Sequence, residues 1–201
     1  MRRLTAFIKK IVPFPAEMQT EFFKKAKPLE LLPGEWIPDN LPTGTTIFVE
    51  EGLLLMTIYD GNRWRCINFY PEGTTVSAYT EGAAEMQEDS LRIRAAEPSR
   101  IYYLAPDDIH QVIKIFPGYM FVINALKFRA EHKSQKRMRI FKVPPAERVI
   151  IVDSFFRYLL RAPLKDLADY LRLETDAEKE FLESVQRLRL SPKRQMTEMH
   201  N

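Results

Sequence analysis

The sequence contains little cysteine and little histidine, and both shortages limit the chemistry it can carry. Cys66 is the only cysteine among 201 residues, so the chain has neither an internal disulfide framework nor a four-cysteine metal or iron–sulfur site. A lone cysteine is typical of a reducing compartment. The three histidines are His110, His132 and His200, and none lies among the strand-like residues 27–104. Because a cupin-type metal enzyme needs two or three histidines on such strands, that class is excluded, and we predict no cofactor, no metal and no enzymatic activity.

Long apolar runs are also missing. The longest nearly apolar run, Tyr119–Leu126, is far shorter than the roughly 20 residues that span a bilayer. The N-terminus MRRLTAFIKK is basic, but Lys9 and Lys10 interrupt its apolar residues and no small-residue cleavage site follows, which argues against a signal peptide. With 45% apolar and 28% charged residues, the chain can bury a core. We therefore predict a cytoplasmic protein with no membrane partner.

Residues 27–104 have the composition of β-structure. Short runs rich in Val, Ile, Tyr, Phe and Trp alternate there with glycines, and Asp60-Gly61 lies between LLLMTIY and RWRCINF, which is a strong hairpin signal. Residues 64–70 alternate between two faces with the period of two that a strand requires. Several short strands at this spacing predict a barrel, jelly roll or sandwich. Because Cys66 lies on such a strand with no histidine near it in sequence, we predict a buried structural thiol rather than a redox switch.

Helical spacing marks the segments on either side of this β-region. Residues 3–26 predict one or two short helices that pack on the β-region through an apolar stripe of Phe14, Met18, Phe22 and Phe23. Asp107–Phe116 predicts another short helix, with Asp107 or Asp108 as its cap. The apolar face of this helix consists of Ile109, Val112, Ile113 and Phe116.

Further helical segments follow. Pro117–Lys142 predicts one helix of about 26 residues, roughly 39 Å long, because proline suits the first turn of a helix and Pro144-Pro145 stops its end. Pro145–Arg161 predicts a second helix. Pro163–Leu171 and Asp176–Leu188 predict two short helices joined by a tight turn, which is the helix-turn-helix pattern.

The long helix has two unlike halves. Its heptad track is apolar only at the start and end, and it consists of Met120, Ile123, Lys127, Ala130, Ser134, Arg137 and Phe141. We therefore predict that the first half seals both the β-region and a homodimer formed through residues 117–143. Residues 127–142 carry seven bases and one acid, so the second half needs an anionic partner. That partner is either DNA phosphate or the acidic segment 174–183 of the chain itself.

The order and spacing of these segments resemble the Crp/Fnr family of bacterial transcription regulators. The stretches that carry the resemblance are Leu32–Ile37, Phe48–Leu53, Tyr59–Gly61, Phe69–Gly73, Ser90–Pro98 and Pro163–Leu173. The resemblance implies an α+β fold with a jelly-roll-like antiparallel β-roll effector domain (residues 1–116), a long dimerisation helix (117–143) and a C-terminal winged-helix, helix-turn-helix DNA-binding domain (144–201). It further implies transcription regulation, with a small-molecule effector and double-stranded DNA as partners.

The resemblance also locates a candidate ligand site. Nucleotide-binding members of the family carry a Gly-Glu pair and, about ten residues on, an arginine followed by serine or threonine. Here the first pair falls on Ser77-Ala78, so the glutamate carboxylate is missing. The second falls near Asp89-Ser90, so an aspartate occupies the position where a phosphate needs a cation. We therefore predict that the roll does not bind cyclic AMP or cyclic GMP. The candidate residues for another small molecule are Ser77, Ala78, Asp89, Ser90 and Arg92, although Arg92 and the arginine two residues on are predicted to face solvent.

The second helix of the helix-turn-helix pair, which the family places in the major groove, is acidic here. Residues 174–183 hold five acids and one base, and Arg172 stands at the usual turn glycine. Acids beside phosphates remove the attraction that supplies most non-specific affinity. Two hypotheses stay open: a working DNA-binding regulator, or a degenerate member that acts as a ligand-sensing or protein-interaction module. The candidate phosphate contacts of the first hypothesis are Lys165, Lys179, Arg187, Arg189, Lys193 and Arg194.

Overall fold

The computed structural model describes residues 2–77, 91–173 and 183–188. Helices α1 (Arg2–Lys9) and α2 (Ala16–Lys25) come first. The strands are β1 (Lys27–Leu31), β2 (Thr46–Glu51), β3 (Leu53–Tyr59), β4 (Trp64–Pro71), β5 (Thr75–Ser77), β6 (Leu91–Ala95) and β7 (Ser99–Leu104). The later helices are α3 (Pro106–Ile115), α4 (Tyr119–Met138), α5 (Pro145–Phe155) and α6 (Leu164–Tyr170), with 3-10 turns at Arg139–Lys142 and Arg157–Arg161. Residues 183–188 are helical again.

Two antiparallel sheets enclose an apolar interior. One sheet has the strand order β1-β7-β2-β5 and the other has the order β4-β3-β6. The cluster between them, called the roll interior below, consists of Leu31, Ile37, Ile47, Val49, Leu54, Met56, Tyr70, Val76, Ile93, Ala95 and Ile101. All of these side chains are buried. The arrangement confirms the predicted α+β fold with an antiparallel roll.

The β3–β4 hairpin is confirmed, and its turn has the chemistry that the sequence indicates. Gly61 has a φ of 90°, a conformation that glycine adopts without steric cost. The Asp60 carboxylate accepts hydrogen bonds from the backbone N–H groups of Asn62 (3.0 Å) and Arg63 (2.9 Å). The bonds from Arg63 and Asn62 hold the pKa of the Asp60 carboxyl below its usual value.

A β-bulge interrupts the alternation predicted for residues 64–70. The register of β4 against β3 shifts by one residue at Ile67, which has no partner on β3. The extra residue places Cys66 and Phe69, three positions apart, on the same outer face of the sheet, whereas a strict period of two would separate them. Tyr70 points to the other side, into the roll interior. The bulge therefore lets Cys66 join Phe69 on the outer face, while Tyr70 still enters the roll interior.

The N-terminal helices pack on the larger sheet together with α3 and the start of α4. Phe14 and Phe22 of the predicted apolar stripe are buried in this cluster, next to Phe48 of β2. Glu50 of β2 is also buried, and its carboxylate accepts the backbone N–H groups of Arg3 (2.8 Å) and Leu4 (3.2 Å). The free N–H groups at the start of α1 are therefore satisfied by a side chain from the sheet.

Two predictions about helix ends are wrong. No side-chain hydrogen bond from Asp107 or Asp108 caps α3, because the helix starts one residue earlier, at Pro106, and Ala105 is its N-cap. The predicted single helix Pro145–Arg161 breaks at Phe156, whose φ of −134° leaves the helical region. The 3-10 turn that follows buries Leu159 and Leu160.

The predicted long helix is confirmed, as α4 and the 3-10 turn that continues it to Lys142. Among the helices of the described residues, none combines the length and apolarity needed to cross a membrane.

Candidate functional site

The outer face of the β4-β3-β6 sheet carries the C-terminal helices. The sheet contributes Leu53, Leu55, Cys66 and Phe69 to a shared core. The helical side of this core consists of Ile140, Val152, Leu159, Leu160, Ala162, Leu167, Tyr170, Leu171 and Val185. At its centre, the rings of Phe69 and Tyr170 meet edge to face at a centroid distance of 5.1 Å. This shared core is called the docking core below.

Ion pairs surround the docking core and link the same two parts of the chain. Arg94 Nη2 lies 2.6 Å from Asp166 Oδ1, and Arg63 Nη2 lies 2.7 Å from Asp169 Oδ1. Arg161 binds carboxylates of the roll as well. The prediction that Arg94 faces solvent is wrong, because its side chain is only 21% exposed and is bonded to an almost fully buried aspartate.

Burial changes the acidity of groups at the docking core. Burial raises the pKa of the Asp166 carboxyl, and the facing Arg94 guanidinium offsets part of that rise. Burial likewise raises the pKa of the Cys66 thiol, and the nearby Asp166 adds to the effect. The predicted buried thiol is confirmed, since Cys66 is 2% exposed.

Cys66 should therefore resist thiol reagents in the folded protein. At pH 8, we expect Ellman's reagent to react with native protein at least about 100-fold more slowly than with free cysteine, because only an exposed thiolate attacks. In denaturant the reaction should reach one thiol per chain at the normal rate. A C66S variant supplies the zero-thiol control. Stoichiometric labelling of native protein at the free-thiol rate would contradict the buried position.

A cavity of about 530 Å³ lies beside the docking core. It opens between the β3–β4 hairpin, the end of α4 and the end of α6. Its charged lining consists of Arg63, Arg65, Arg137, Arg172 and Asp169. Arg137 is only 7% exposed, and its Nη1 donates to the backbone oxygen of Phe69 at 2.7 Å and to Oδ1 of Asn68.

Two of the ligand residues predicted from the sequence, Ser77 and Arg92, lie within the described residues, and the predicted site as a whole stays a prediction. Ser77 ends β5, where its backbone pairs with Thr46. Arg92 lies on the face of β6 opposite to the roll interior, where it binds Asp39 at 2.9 Å and its guanidinium covers the rings of Trp36 and Trp64. The remaining three predicted residues, Ala78, Asp89 and Ser90, lie outside the described residues.

Two of the predicted DNA contacts can be placed. Lys165 is exposed on α6, and Arg187 is exposed on the helical residues 183–188, where it lies 3.9 Å from Glu183. The other candidates, Lys179, Arg189, Lys193 and Arg194, lie outside the described residues, as does the acidic segment apart from its last residue. Its predicted docking on the basic half of α4 therefore stays a prediction.

Sequence reasoning missed both the docking core and the cavity. The available signal was the run Leu53–Met56, which is apolar without alternation and is therefore typical of a strand covered on both faces. Arg137 gave no separate signal, because it stands in a run of bases that indicates a solvated surface.

Comparison with solved structures identifies the fold. The structure is similar to that of a cyclic nucleotide-binding domain containing protein from Listeria monocytogenes, with a TM-score of 0.61 and 12% identity over 86% of this chain and 88% of that chain. For the c-di-GMP responsive global regulator CLP of Xanthomonas campestris, the TM-score is 0.58 and the identity is 14%, over 90% of this chain and 96% of that chain. For a putative transcriptional regulator of the Crp/Fnr family from Eubacterium rectale, the TM-score is 0.56 and the identity is 12%, over 87% of this chain and 84% of that chain. Neither a protein-family model nor a curated protein sequence matches this chain. The chain thus has the cyclic nucleotide-binding-like fold of Crp/Fnr regulators, as its sequence predicts.

Proposed function

We propose that the protein is a transcription regulator of the Crp/Fnr type that binds double-stranded DNA as a homodimer. The observation that carries the proposal is the extent of the structural likeness. Each of the three similarities spans at least 86% of this chain, so it reaches beyond the roll into α4 and the C-terminal helices. Likeness of fold supports a function by analogy, and the analogy is testable through the C-terminal helices.

DNA binding is the direct test of this proposal. In a mobility-shift assay with random duplex at low salt, the protein should shift the DNA at micromolar dimer, and the affinity should fall as salt rises. Because Lys165 and Arg187 are exposed on the two helices of the pair, charge reversal of both should weaken binding at least tenfold and make it less salt-dependent. Lys114→Glu, a single charge reversal on α3, is the control for each of the two single reversals. The absence of any shift at micromolar dimer would refute DNA binding.

The alternative is a regulator-like protein whose helical module serves ligand sensing or protein interaction. The observation that favours it is that acidic residues on α6 form ion pairs within the chain. Asp166 and Asp169 bind arginines of the roll, so this helix is held by its own chain. A folded protein that fails to shift DNA, together with acids at five of the positions 174–183, would support this alternative.

The proposed homodimer uses a different face of α4 from the predicted heptad track. Arg137 and Phe141 of that track face the chain's own body, since Arg137 is buried against β4 and Phe141 packs on Tyr170. Large apolar side chains are instead exposed at Phe121 (67%) and Phe128 (73%), one heptad apart. Exposed aromatic residues at this spacing support a helix–helix seam centred on them.

Phe128→Glu should therefore separate the dimer. We expect light scattering at tens of micromolar to report one chain instead of two, because a charge at the centre of an apolar seam weakens association by about 2 kcal/mol or more. Ile115→Glu introduces the same charge at another exposed apolar residue, outside α4, and should leave the dimer intact. If Phe128→Glu remains dimeric, the seam lies elsewhere.

We also propose that the roll interior does not hold a cyclic nucleotide. The side chains of this cluster are apolar apart from the Tyr70 hydroxyl. A ribose and a phosphate need several polar partners at their binding site. This composition supports an effector site outside the roll interior.

A further inference from the structure

The cavity beside the docking core combines buried positive charge with an apolar wall. We propose that it binds a small organic anion: an anionic group, either carboxylate or phosphate, attached to an apolar or aromatic body. The proposal is independent of DNA binding, because it concerns only the occupant of this cavity.

Arg137 provides the buried charge. Asn68 follows the bulge residue in β4, and its Oδ1 accepts a hydrogen bond from Arg137 at the end of α4. The other partners of the guanidinium are the backbone oxygen of Phe69 and the hydroxyl of Tyr158. All three partners are neutral, and no carboxylate of the described residues forms an ion pair with Arg137. A buried charge is costly unless an opposite charge compensates it, so the environment of Arg137 favours an anion.

The rim of the cavity supplies a second uncompensated arginine. Arg63 is bonded to Asp169, and Arg65 is bonded to Asp60, so these two arginines are neutralised. Arg172 adopts a φ of 52° and lies 5.2 Å above the ring of Phe141, with no carboxylate partner among the described residues. After these two ion pairs, Arg137 and Arg172 are the two positive charges of the lining without a carboxylate partner among the described residues, which matches one phosphate or one or two carboxylates.

The remaining lining accounts for the organic body. The apolar side chains around the cavity are Ile58, Ile67, Met138, Phe141, Tyr170 and Leu173. Ile67 is 41% exposed and Met138 is 55% exposed, so a ligand that covers them would remove apolar surface from water. A volume of about 530 Å³ falls within the range of about 300–1,000 Å³ that is usual for small-molecule sites. An inorganic ion alone would leave this wall unused.

Four probes test separately whether binding needs the anionic group and whether it needs the apolar body. Isothermal titration at low salt should detect phenyl phosphate or benzoate, which carry both a ring and an anionic group, with a dissociation constant below about 1 mM. Inorganic phosphate should bind at least tenfold more weakly, and benzyl alcohol should not bind detectably. The ratio between phenyl phosphate and benzoate identifies which anionic group the arginines prefer.

Variants then locate the binding. Arg172→Ala should weaken binding of the better probe at least tenfold, and because Arg172 is exposed the variant should fold normally. Arg137→Lys keeps the charge but removes the planar donor set, and it should also weaken binding. Arg92→Ala, on the same sheet but outside the cavity, should bind as the unmodified protein does. Equal binding of benzyl alcohol and phenyl phosphate, no binding of any probe, or an unchanged affinity in Arg172→Ala would each overturn the proposal, whatever the outcome of the DNA assay.

Discussion

Replacing Phe69 with alanine should lower the free energy of unfolding by about 3–5 kcal/mol, the range for truncating a fully buried aromatic side chain. Phe69 is 0% exposed and packs edge to face on Tyr170 in the docking core. The substitution leaves a cavity between the sheet and the C-terminal helices, which no neighbouring side chain can easily fill. Chemical denaturation followed by circular dichroism measures the loss.

Ile67→Ala is the matched control for this substitution. Ile67 lies two positions away on the same strand but is 41% exposed, so its truncation should cost less than about 1 kcal/mol. Labelling of Cys66 provides a second measurement, because the same helices cover its thiol. In Phe69→Ala the native thiol should react faster, and in Ile67→Ala its rate should not change. Equal losses of stability in the two variants would mean that Phe69 does not join the two parts of the chain.

Replacing Asp166 with leucine should also cost about 3–5 kcal/mol, because it leaves a largely buried Arg94 without its counter-ion. The side chains of the pair are 7% and 21% exposed, and the two groups are 2.6 Å apart. The Arg92–Asp39 pair, which begins two residues earlier on β6, is the control. Its side chains are 42% and 68% exposed, so Asp39→Ala should cost less than about 1 kcal/mol.

A double substitution distinguishes the net contribution of the Arg94–Asp166 pair to the free energy of unfolding from the loss of stability when one partner is removed. Burial and the neighbouring Asp169 raise the pKa of the Asp166 carboxyl despite the facing guanidinium, so the buried pair carries a desolvation cost. Arg94→Met combined with Asp166→Leu should therefore recover most of the stability that the single substitution loses. Denaturation of both single variants and the double variant completes the cycle. If the double variant is no more stable than Asp166→Leu, the loss has another origin than an unpaired charge.

Local patterns in the sequence were sufficient for the elements of the fold. Asp60-Gly61 predicted the β3–β4 hairpin because its residues suit the backbone of a tight turn. Prolines at both ends predicted the long helix, because proline is accepted in the first turn of a helix and the residue before a proline avoids the helical conformation. The strand spacing predicted the roll, and the order of all these segments led to the correct family of folds.

The contacts between the elements could not be predicted in the same way. The bulge at Ile67 adds one residue without any local signature, and it decides that Cys66 and Phe69 share a face. Arg94 alternates with apolar residues like any surface arginine, and only the position of α6 makes it a buried partner of Asp166. The sequence indicates which residues share a strand face but not which helices cover that face.

The double covering of β3 has a consequence for how the protein folds and how it can be divided. Leu54 and Met56 belong to the roll interior, whereas Leu53 and Leu55 belong to the docking core. A fragment that ends near residue 143 would retain the roll but expose a row of leucines and Phe69 to water, which favours aggregation. The sheet and the C-terminal helices should therefore unfold in one cooperative transition rather than two. Tests of the proposed ligand and DNA binding accordingly need the roll together with the C-terminal helices.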